Sequence, residues 1–330
     1  MKIIELGSHA WITSGIGKVM IKLNEEFLKM GHDSTIFSLA PSKYAYMSGF
    51  SKSQYLLRVV PIIRRLRPDV IHVHSSFPFG AATAPSGNVV FTVWDPPPPP
   101  ARLPHWTVYK LALLRAKRVV LVSGYLRRFI GNEVVIPPGV DEVYRPDGRR
   151  NNWGLSIFSV GTWEKRADLL VMAFNILKTQ LPQLKLIFVR KHPPNQGYES
   201  YLLSLCRPEF RKSITFLGPG LIDEEMAECY RSCTVYASAS QYEGFGIPFL
   251  EANACGKAVV AFRKAAIPYT VHHNVTGLLA DDFEQFVNYL KLLLTDEKLR
   301  RKLETNAARR AETFSWSNIA KQYLSLFESF

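Results

Sequence analysis

Gln241-Tyr242-Glu243-Gly244-Phe245-Gly246-Ile247-Pro248-Phe249-Leu250-Glu251-Ala252 sets two carboxylates, Glu243 and Glu251, eight positions apart around a Gly-aromatic-Gly turn and a proline. Proline suits the first turn of a helix, where its missing N–H costs nothing. The stretch therefore reads as a loop holding Glu243, a turn over Gly244–Gly246, and a helix with Glu251 in its first turn. Glycines let backbone approach a ligand, and the free N–H groups of a helix start favour an anion. Glu251 is then placed to meet two neighbouring hydroxyls, such as those of a ribose. The pattern fits a site for a phosphate flanked by polyols. It equally fits a buried strand-turn-helix whose two acids merely complement the helix dipole.

Working outward, strand-like runs alternate with helical ones. Ile3–Leu6 is apolar and precedes Ser14-Gly15-Ile16-Gly17. Lys18–Met30 carries a broad apolar face, Gly31 ends it, and Ser34–Leu39 is the next strand. This strand, glycine turn, helix, strand unit predicts a parallel sheet. Its turn is neither a dinucleotide fingerprint, since Met20 stands where the third glycine belongs, nor a Walker loop, since Val19 follows Lys18. Gly15 and Gly17 still place bare N–H groups at strand ends, where open sheets bind ligands. Tyr55–Leu66 reads as a helix interrupted at Pro61. Further strands are expected at Asp69–His74, with alternating character, and at Val89–Val93, Arg118–Ser123 and Val134–Ile136, with a helix over Trp106–Lys117. The run Pro96–Pro100 after Trp94-Asp95 suggests a stiff polyproline segment.

Arg145–Gly154 is polar and rich in turn formers, so it reads as a linker. Beyond it, strands are expected at Ser156–Val160, Leu184–Val189, Ile214–Leu217, Thr234–Ala237, Ala258–Ala261 and Gly277–Leu279. Helices follow from Phe283 onward, with Asp282 and Ser315 as caps. The chain has 330 residues, 47% of them hydrophobic and 21% charged, which is enough for about two domains. The expected division is 1–148, 149–312 and a final helix over 313–330 that crosses back to the first domain. The two sheets are expected to face each other across a cleft.

The net charge of +13 is uneven: residues 1–150 hold 20 basic and 10 acidic side chains, residues 151–330 hold 21 and 18. A basic first half suits anionic lipid or a phosphorylated substrate, and it also suits simple solubility. Charge is all that a nucleic-acid reading rests on, because the aromatic-basic platform of single-strand binders is missing. No apolar run reaches the roughly 18–20 residues that span a bilayer, and the start is too short and polar for a secretion signal. Cys206, Cys229, Cys233 and Cys255 have no zinc-like spacing and read as reduced thiols of a cytoplasmic protein.

In this order and at these separations, the motifs resemble the family 4 retaining glycosyltransferases over nearly the whole chain. The strongest piece is Glu243 to Glu251, the family's E-x7-E element. Support comes from Gly15-Ile16-Gly17, from Arg67-Pro68-Asp69-Val70-Ile71-His72-Val73-His74, and from Ile136-Pro137-Pro138-Gly139-Val140-Asp141. Val160-Gly161 to Lys165 and Asn274-Val275-Thr276-Gly277-Leu278-Leu279 complete the set. The resemblance implies the α/β GT-B fold of two Rossmann-like domains. It also implies transfer of a sugar from a UDP- or GDP-linked donor to a hydroxyl acceptor, either a glycan or lipid-linked, with no metal and no further cofactor. It assigns Glu251 to the ribose, and Glu243 with Phe245 and Gly246 to the sugar and diphosphate. Lys165 would neutralise the leaving diphosphate, Gly15 and Gly17 would lie near it, and the loop opening at Gly218 would border the base.

The chain departs from the family pattern in three places. Thr162 stands where the family often has an arginine that shares the phosphate with the lysine. Arg166, Arg190 and Lys191 are the candidates to replace it, and sequence does not choose among them. Trp94-Asp95 stands where a histidine is common; Asp95 suits a sugar contact, the acceptor's proton, or a plain turn before proline. Third, the stretches 40–55 and 75–88 are short. His72 and His74 read as strand residues rather than catalytic groups. The rival readings are a catalytically degenerate donor-binding subunit and a GT-B phosphorylase or epimerase. A basic first domain on a lipid-linked acceptor would place the protein on the inner face of a membrane, as a peripheral protein.

Overall fold

The computed structural model describes residues 1–10, 15–45, 47–49, 51–85, 87–190 and 196–330. It contains two compact units, Met1–Gly139 with Trp316–Phe330, and Val140–Ser315.

The first unit carries a seven-stranded sheet: β1 Lys2–Gly7, β2 Asp33–Ser38, β3 Met47–Ser48, β4 Val70–His74, β5 Val89–Val93, β6 Arg118–Leu121 and β7 Val134–Val135. The order is β3-β2-β1-β4-β5-β6-β7, and every pair is parallel. Parallel strands need crossovers, so helices cover the sheet and its strands read as near-continuous apolar runs. Helix Gly15–Lys29 follows β1 and buries Val19, Met20, Ile21, Leu23 and Phe27. The expected interruption at Pro61 takes the form of a wider turn. Tyr55–Val59 is π-helical, with the Val60 N–H bonded to the Tyr55 carbonyl, and an α-helix then runs over Val60–Leu66. The prolyl ring would clash with a carbonyl in a regular helix, and the wider turn relieves that.

β4 differs from its expected alternation: all five residues are buried. Its two histidines are accommodated because neighbouring strands supply partners. Register sets Glu5 beside His72 and His74 beside Thr92. His72 Nδ1 lies 2.9 Å from Glu5 Oε1, and its Nε2 lies 2.7 Å from Thr92 Oγ1. Trp94 Nε1 donates to His74 Nδ1 at 3.2 Å, so the other nitrogen, Nε2, carries the proton that His74 donates to Glu5 Oε2 at 3.0 Å. The C-terminal helix Trp316–Phe327 closes this network, with Tyr323 Oη 3.2 Å from Thr92 Oγ1 and Phe327 against Phe27. Glu5, His72 and His74 together bring potential metal-ligand atoms within 4.8 Å of one another. Each ring nitrogen and each carboxylate oxygen of the three is already hydrogen-bonded.

The second unit carries a six-stranded sheet: β8 Ser156–Gly161, β9 Lys185–Arg190, β10 Ile214–Leu217, β11 Val235–Ser238, β12 Val259–Phe262 and β13 Gly277–Ala280. The order is β10-β9-β8-β11-β12-β13, again all parallel. The chain builds outward from β8 and then returns to its other side at β11. In open sheets a ligand crevice forms beyond the strand ends at such a reversal. Asp282 caps the helix Phe283–Thr295 by accepting from Gln285 N at 2.8 Å.

The division between the units falls at Gly139/Val140, earlier than the boundary read from composition. Arg145–Gly154 is tied to the second unit. Arg231, 7% exposed, donates to the carbonyls of Val143, Arg145 and Arg149 at 3.1, 3.4 and 2.8 Å. Asn151 N donates to Ser232 Oγ at 2.7 Å. Polar turn formers resemble a free linker in composition, but here their backbone groups are held by one buried guanidinium. Thr313–Ser315 stays with the second unit, and Trp316–Phe330 groups with the first.

Candidate functional site

The loops that follow β8 and β11, the two strands at the reversal, meet. Lys165 Nζ donates to Glu243 Oε1 at 2.5 Å, with side-chain exposures of 22% and 10%. The Lys165 loop is short and braced from within. Lys165 N donates to Thr162 Oγ1 at 3.3 Å and to the Thr162 carbonyl at 3.2 Å, and Tyr198 Oη donates to the same carbonyl at 2.9 Å. Thr162, at the place of the family's arginine, is buried and serves the loop's own geometry. Buried Ser240 joins the two loops, its hydroxyl lying 2.8 Å from the Tyr242 carbonyl and 3.4 Å from that of Glu164.

Beyond Glu243 the chain turns sharply. Gly246 has φ +90°, and a Cβ there would stand 2.5 Å from the Phe249 ring, so only glycine fits. Thr270 Oγ1 donates to the Phe245 carbonyl, and Ala266 N donates to the Glu243 carbonyl at 3.2 Å. Helix Ile247–Ala254 starts straight after this turn, with Pro248 in its opening positions. The loop that carries Glu243 leads directly into its N-terminus. One expectation is corrected: Glu251 is the fifth helical residue and lies in the second turn, because the left-handed Gly246 delays the helix to Ile247.

Glu251 is buried, and Tyr230 Oη donates to its Oε2 at 3.1 Å. Burial pushes the Tyr230 phenol well above its usual range, and the Glu251 charge adds to this, so Tyr230 stays a donor at any physiological pH. Burial, then the charges of Glu251 and Asp223, likewise raise Tyr144, which donates to Asp223 Oδ1 at 2.8 Å. The acid of the helix is thus held by an aromatic hydroxyl that no motif marks.

The remaining sequence candidates are spread more widely. Arg166 is left-handed at φ +49° and forms a fork with Asp168: Nε lies 2.9 and 3.2 Å from its two oxygens, and Nη2 donates at 2.8 Å. Arg190 Nε and Nη2 bind Glu199 at 2.6 and 3.0 Å, and Nη1 donates to the Gly218 carbonyl at 3.0 Å. That fork fixes the left-handed Gly218 turn at the end of β10. Lys191 lies outside the described residues. Gly15, Gly17 and Asp95 belong to the first unit: the glycines open the helix after β1, and Asp95 is exposed after β5, its carbonyl accepting from Tyr109 Oη at 3.4 Å. Sequence reading missed Tyr230, Ser240, Asp168 and Glu199, because each acts through a partner brought close only by folding.

Residues 13–143 match the family model described as Glycosyltransferase Family 4, and residues 149–310 match the one described as Glycosyl transferases group 1. The chain belongs to the family 4 glycosyltransferases. Within that family it is 32% identical over 200 residues to the MMP alpha-(1->4)-mannosyltransferase of Mycolicibacterium hassiacum, covering 59% of this chain and 47% of that protein. It is also 32% identical over 212 residues to the D-inositol 3-phosphate glycosyltransferase of Stackebrandtia nassauensis, covering 58% and 48%. The chain spans about half the length of these curated relatives. In fold it is similar to HepE of Anabaena, solved in complex with UDP-glucose, with a TM-score of 0.82, 20% identity and full coverage of both chains. WaaG, a glycosyltransferase involved in lipopolysaccharide biosynthesis, superposes with a TM-score of 0.76 at 16% identity, covering 98% of this chain and 99% of that one. Two parallel-sheet, Rossmann-like domains with these structural neighbours make the fold GT-B.

Proposed function

We propose that this family 4 protein transfers a sugar from a nucleotide-sugar donor to a hydroxyl acceptor, with retention at the anomeric carbon and without a metal or other cofactor. The observation that carries the proposal is the Lys165–Glu243 pair at the sheet reversal, beside a glycine turn and a helix start. A departing nucleoside diphosphate gains negative charge as the glycosidic bond breaks. A cation and backbone N–H groups fixed in advance stabilise that charge without reorganising. Lys165 supplies the cation, and Glu243 both holds it and offers a carboxylate to sugar hydroxyls. Glu251, fixed by Tyr230, accepts from the ribose hydroxyls, and Arg190 with Gly218 shapes the base side. The donor is UDP- or GDP-linked, and the UDP-glucose bound by HepE favours the first.

The test is donor binding, measured by calorimetry or thermal shift with UDP-, GDP- and ADP-sugars in metal-free buffer. One donor should stabilise the protein by about 2.7 kcal/mol at a hundredfold excess over its dissociation constant, and Glu251→Ala should abolish the effect. If every donor fails to bind, the reading is wrong.

We further propose that the first unit rests on an anionic membrane surface, the cytoplasmic leaflet, from which a lipid-linked acceptor would be drawn. Among the described residues no helix is long and apolar enough to cross a membrane. Leu57 and Leu114 are 77% and 83% exposed, on segments that also carry Arg58, Arg64, Arg65, Arg115, Lys117 and Arg118. Exposed leucines beside a basic cluster suit insertion at a headgroup boundary. Sedimentation with phosphatidylglycerol vesicles should capture the protein at low salt and release most of it as ionic strength rises. Capture that ignores salt, or no capture at all, counts against this placement.

A further inference from the structure

Trp163 stands two residues before Lys165 in the loop after β8 and is 50% exposed. A half-exposed indole forfeits apolar burial, so it invites a reason. Its ring lies 4.3 Å from Tyr198 and 4.8 Å from Tyr201, at interplanar angles of 33° and 24°. Both tyrosines are on helix Gln196–Leu205, with ring centroids 6.0 Å apart and planes within 21°. A tyrosine on each face of the indole would leave the two much farther apart than that. Both therefore back one face, and the other face is the one left to solvent.

The stack also has a polar rim. Arg166 is locked in its fork on Asp168, its side chain is 42% exposed, and it lies near Tyr201 and Tyr198. The loop cannot easily swing away, since Tyr198 holds the Thr162 carbonyl and Arg166 N donates to the Trp163 carbonyl at 3.0 Å. A rigid aromatic face edged by a fixed guanidinium–carboxylate pair matches one chemistry well. A pyranose ring presents C–H groups on a face and hydroxyls around its edge.

We propose that the open face of Trp163 is a stacking platform for a pyranose ring, with the Arg166–Asp168 pair meeting its hydroxyls. The inference rests on the sugar-transfer reading of the neighbouring Lys165–Glu243 site and adds a saccharide subsite to it. The ring belongs either to the donor sugar or to a saccharide acceptor.

The experiment uses full-length protein labelled with 5-fluorotryptophan, with the Trp163 resonance assigned by its loss in Trp163→Phe. The probes are methyl α-glucopyranoside, methyl α-mannopyranoside, the UDP- and GDP-sugars of the same two hexoses, and UDP and GDP alone. Movement with a methyl pyranoside, or movement with a nucleotide sugar clearly larger than with UDP or GDP alone, is the expected result. Response to the nucleotide sugar alone assigns the donor sugar, and response to the free pyranoside assigns the acceptor. Movement by UDP or GDP alone, equal to that by the nucleotide sugar, overturns the proposal in favour of a stacked base. A resonance that no probe moves overturns it outright. In kinetics, Trp163→Ala should raise KM for the saccharide concerned about tenfold, the scale of one aromatic contact. If donor binding, read by calorimetry, is intact while the Trp163 resonance stays still, only this inference fails. If no donor binds, the reading of the whole site fails with it.

Discussion

Replacing Lys165 by alanine should lower kcat/KM for sugar transfer by about a hundredfold or more, the loss seen when one fixed oxyanion-type donor is removed from a closed site. Lys165 is held against Glu243 at 2.5 Å by loops that Thr162, Tyr198 and Ser240 brace; on the proposed reading, its ammonium is already fixed where charge would develop. A cation that needs no reorganisation acts mainly in the transition state, so kcat should fall more than donor affinity. Lys165→Arg should recover only part of the loss, because a planar fork does not replace a compact ammonium. Alanine also leaves Glu243 nearly buried without its cation. The double change Lys165→Ala with Glu243→Gln removes that orphaned charge and separates a weakened fold from a missing cation. Steady-state kinetics with the donor found by titration is the measurement. A fall of less than about threefold, under 1 kcal/mol of barrier, would remove Lys165 from the chemistry.

The first unit should lose stability in mild acid, and His74 should be the main cause. Burial holds His74 down to about 4, with neighbouring His72 adding to the effect, while Glu5 acts in the opposite sense. The tautomer agrees: Trp94 N–H points at His74 Nδ1, so a second proton there would set two donors against each other. An unfolded histidine titrates near 6.5. The unfolded chain thus takes up a proton that the folded one refuses, so the contribution is complete above pH 6.5 and is lost as pH falls towards 4. The full loss is roughly 3 kcal/mol. Glu5 extends the trend. Burial alone would raise it, but His72 and His74 outweigh that and lower it from 4.5 to about 2, so its contribution disappears only below pH 4.5. Urea unfolding between pH 7 and 4 should show the midpoint falling, and His74→Gln should flatten the fall between pH 6.5 and 4. An unchanged slope in that variant would place the acid sensitivity elsewhere.

Much of this protein could be read from its residues in order. Apolar runs of strand length alternating with helical periodicity fix parallel α/β units, because a strand followed by a crossover helix packs back only one way. The turn over Gly244–Gly246 was legible because a Gly-aromatic-Gly run before a proline marks a turn that enters a helix, and the structure gives Gly246 φ +90° beside Phe249, where no side chain fits. The E-x7-E spacing, with Lys165 and the glycine turns, was enough to name the family that the two domain matches establish. These signals are local: each depends on residues close in the chain.

The rest depends on residues far apart in the chain, which only folding brings together. Strand register decided that His72 and His74 meet Glu5, and so are paired core groups. Arg231 decided that Arg145–Gly154 is part of the second unit, by occupying carbonyls that composition cannot show to be bonded. Tyr230, on a different helix, decided how Glu251 is held. Asp168 and Glu199 decided that Arg166 and Arg190 are already engaged in forks. A motif shows which groups are available, whereas tertiary structure decides which of them are already satisfied, because a hydrogen bond or ion pair depends on distance and direction in space.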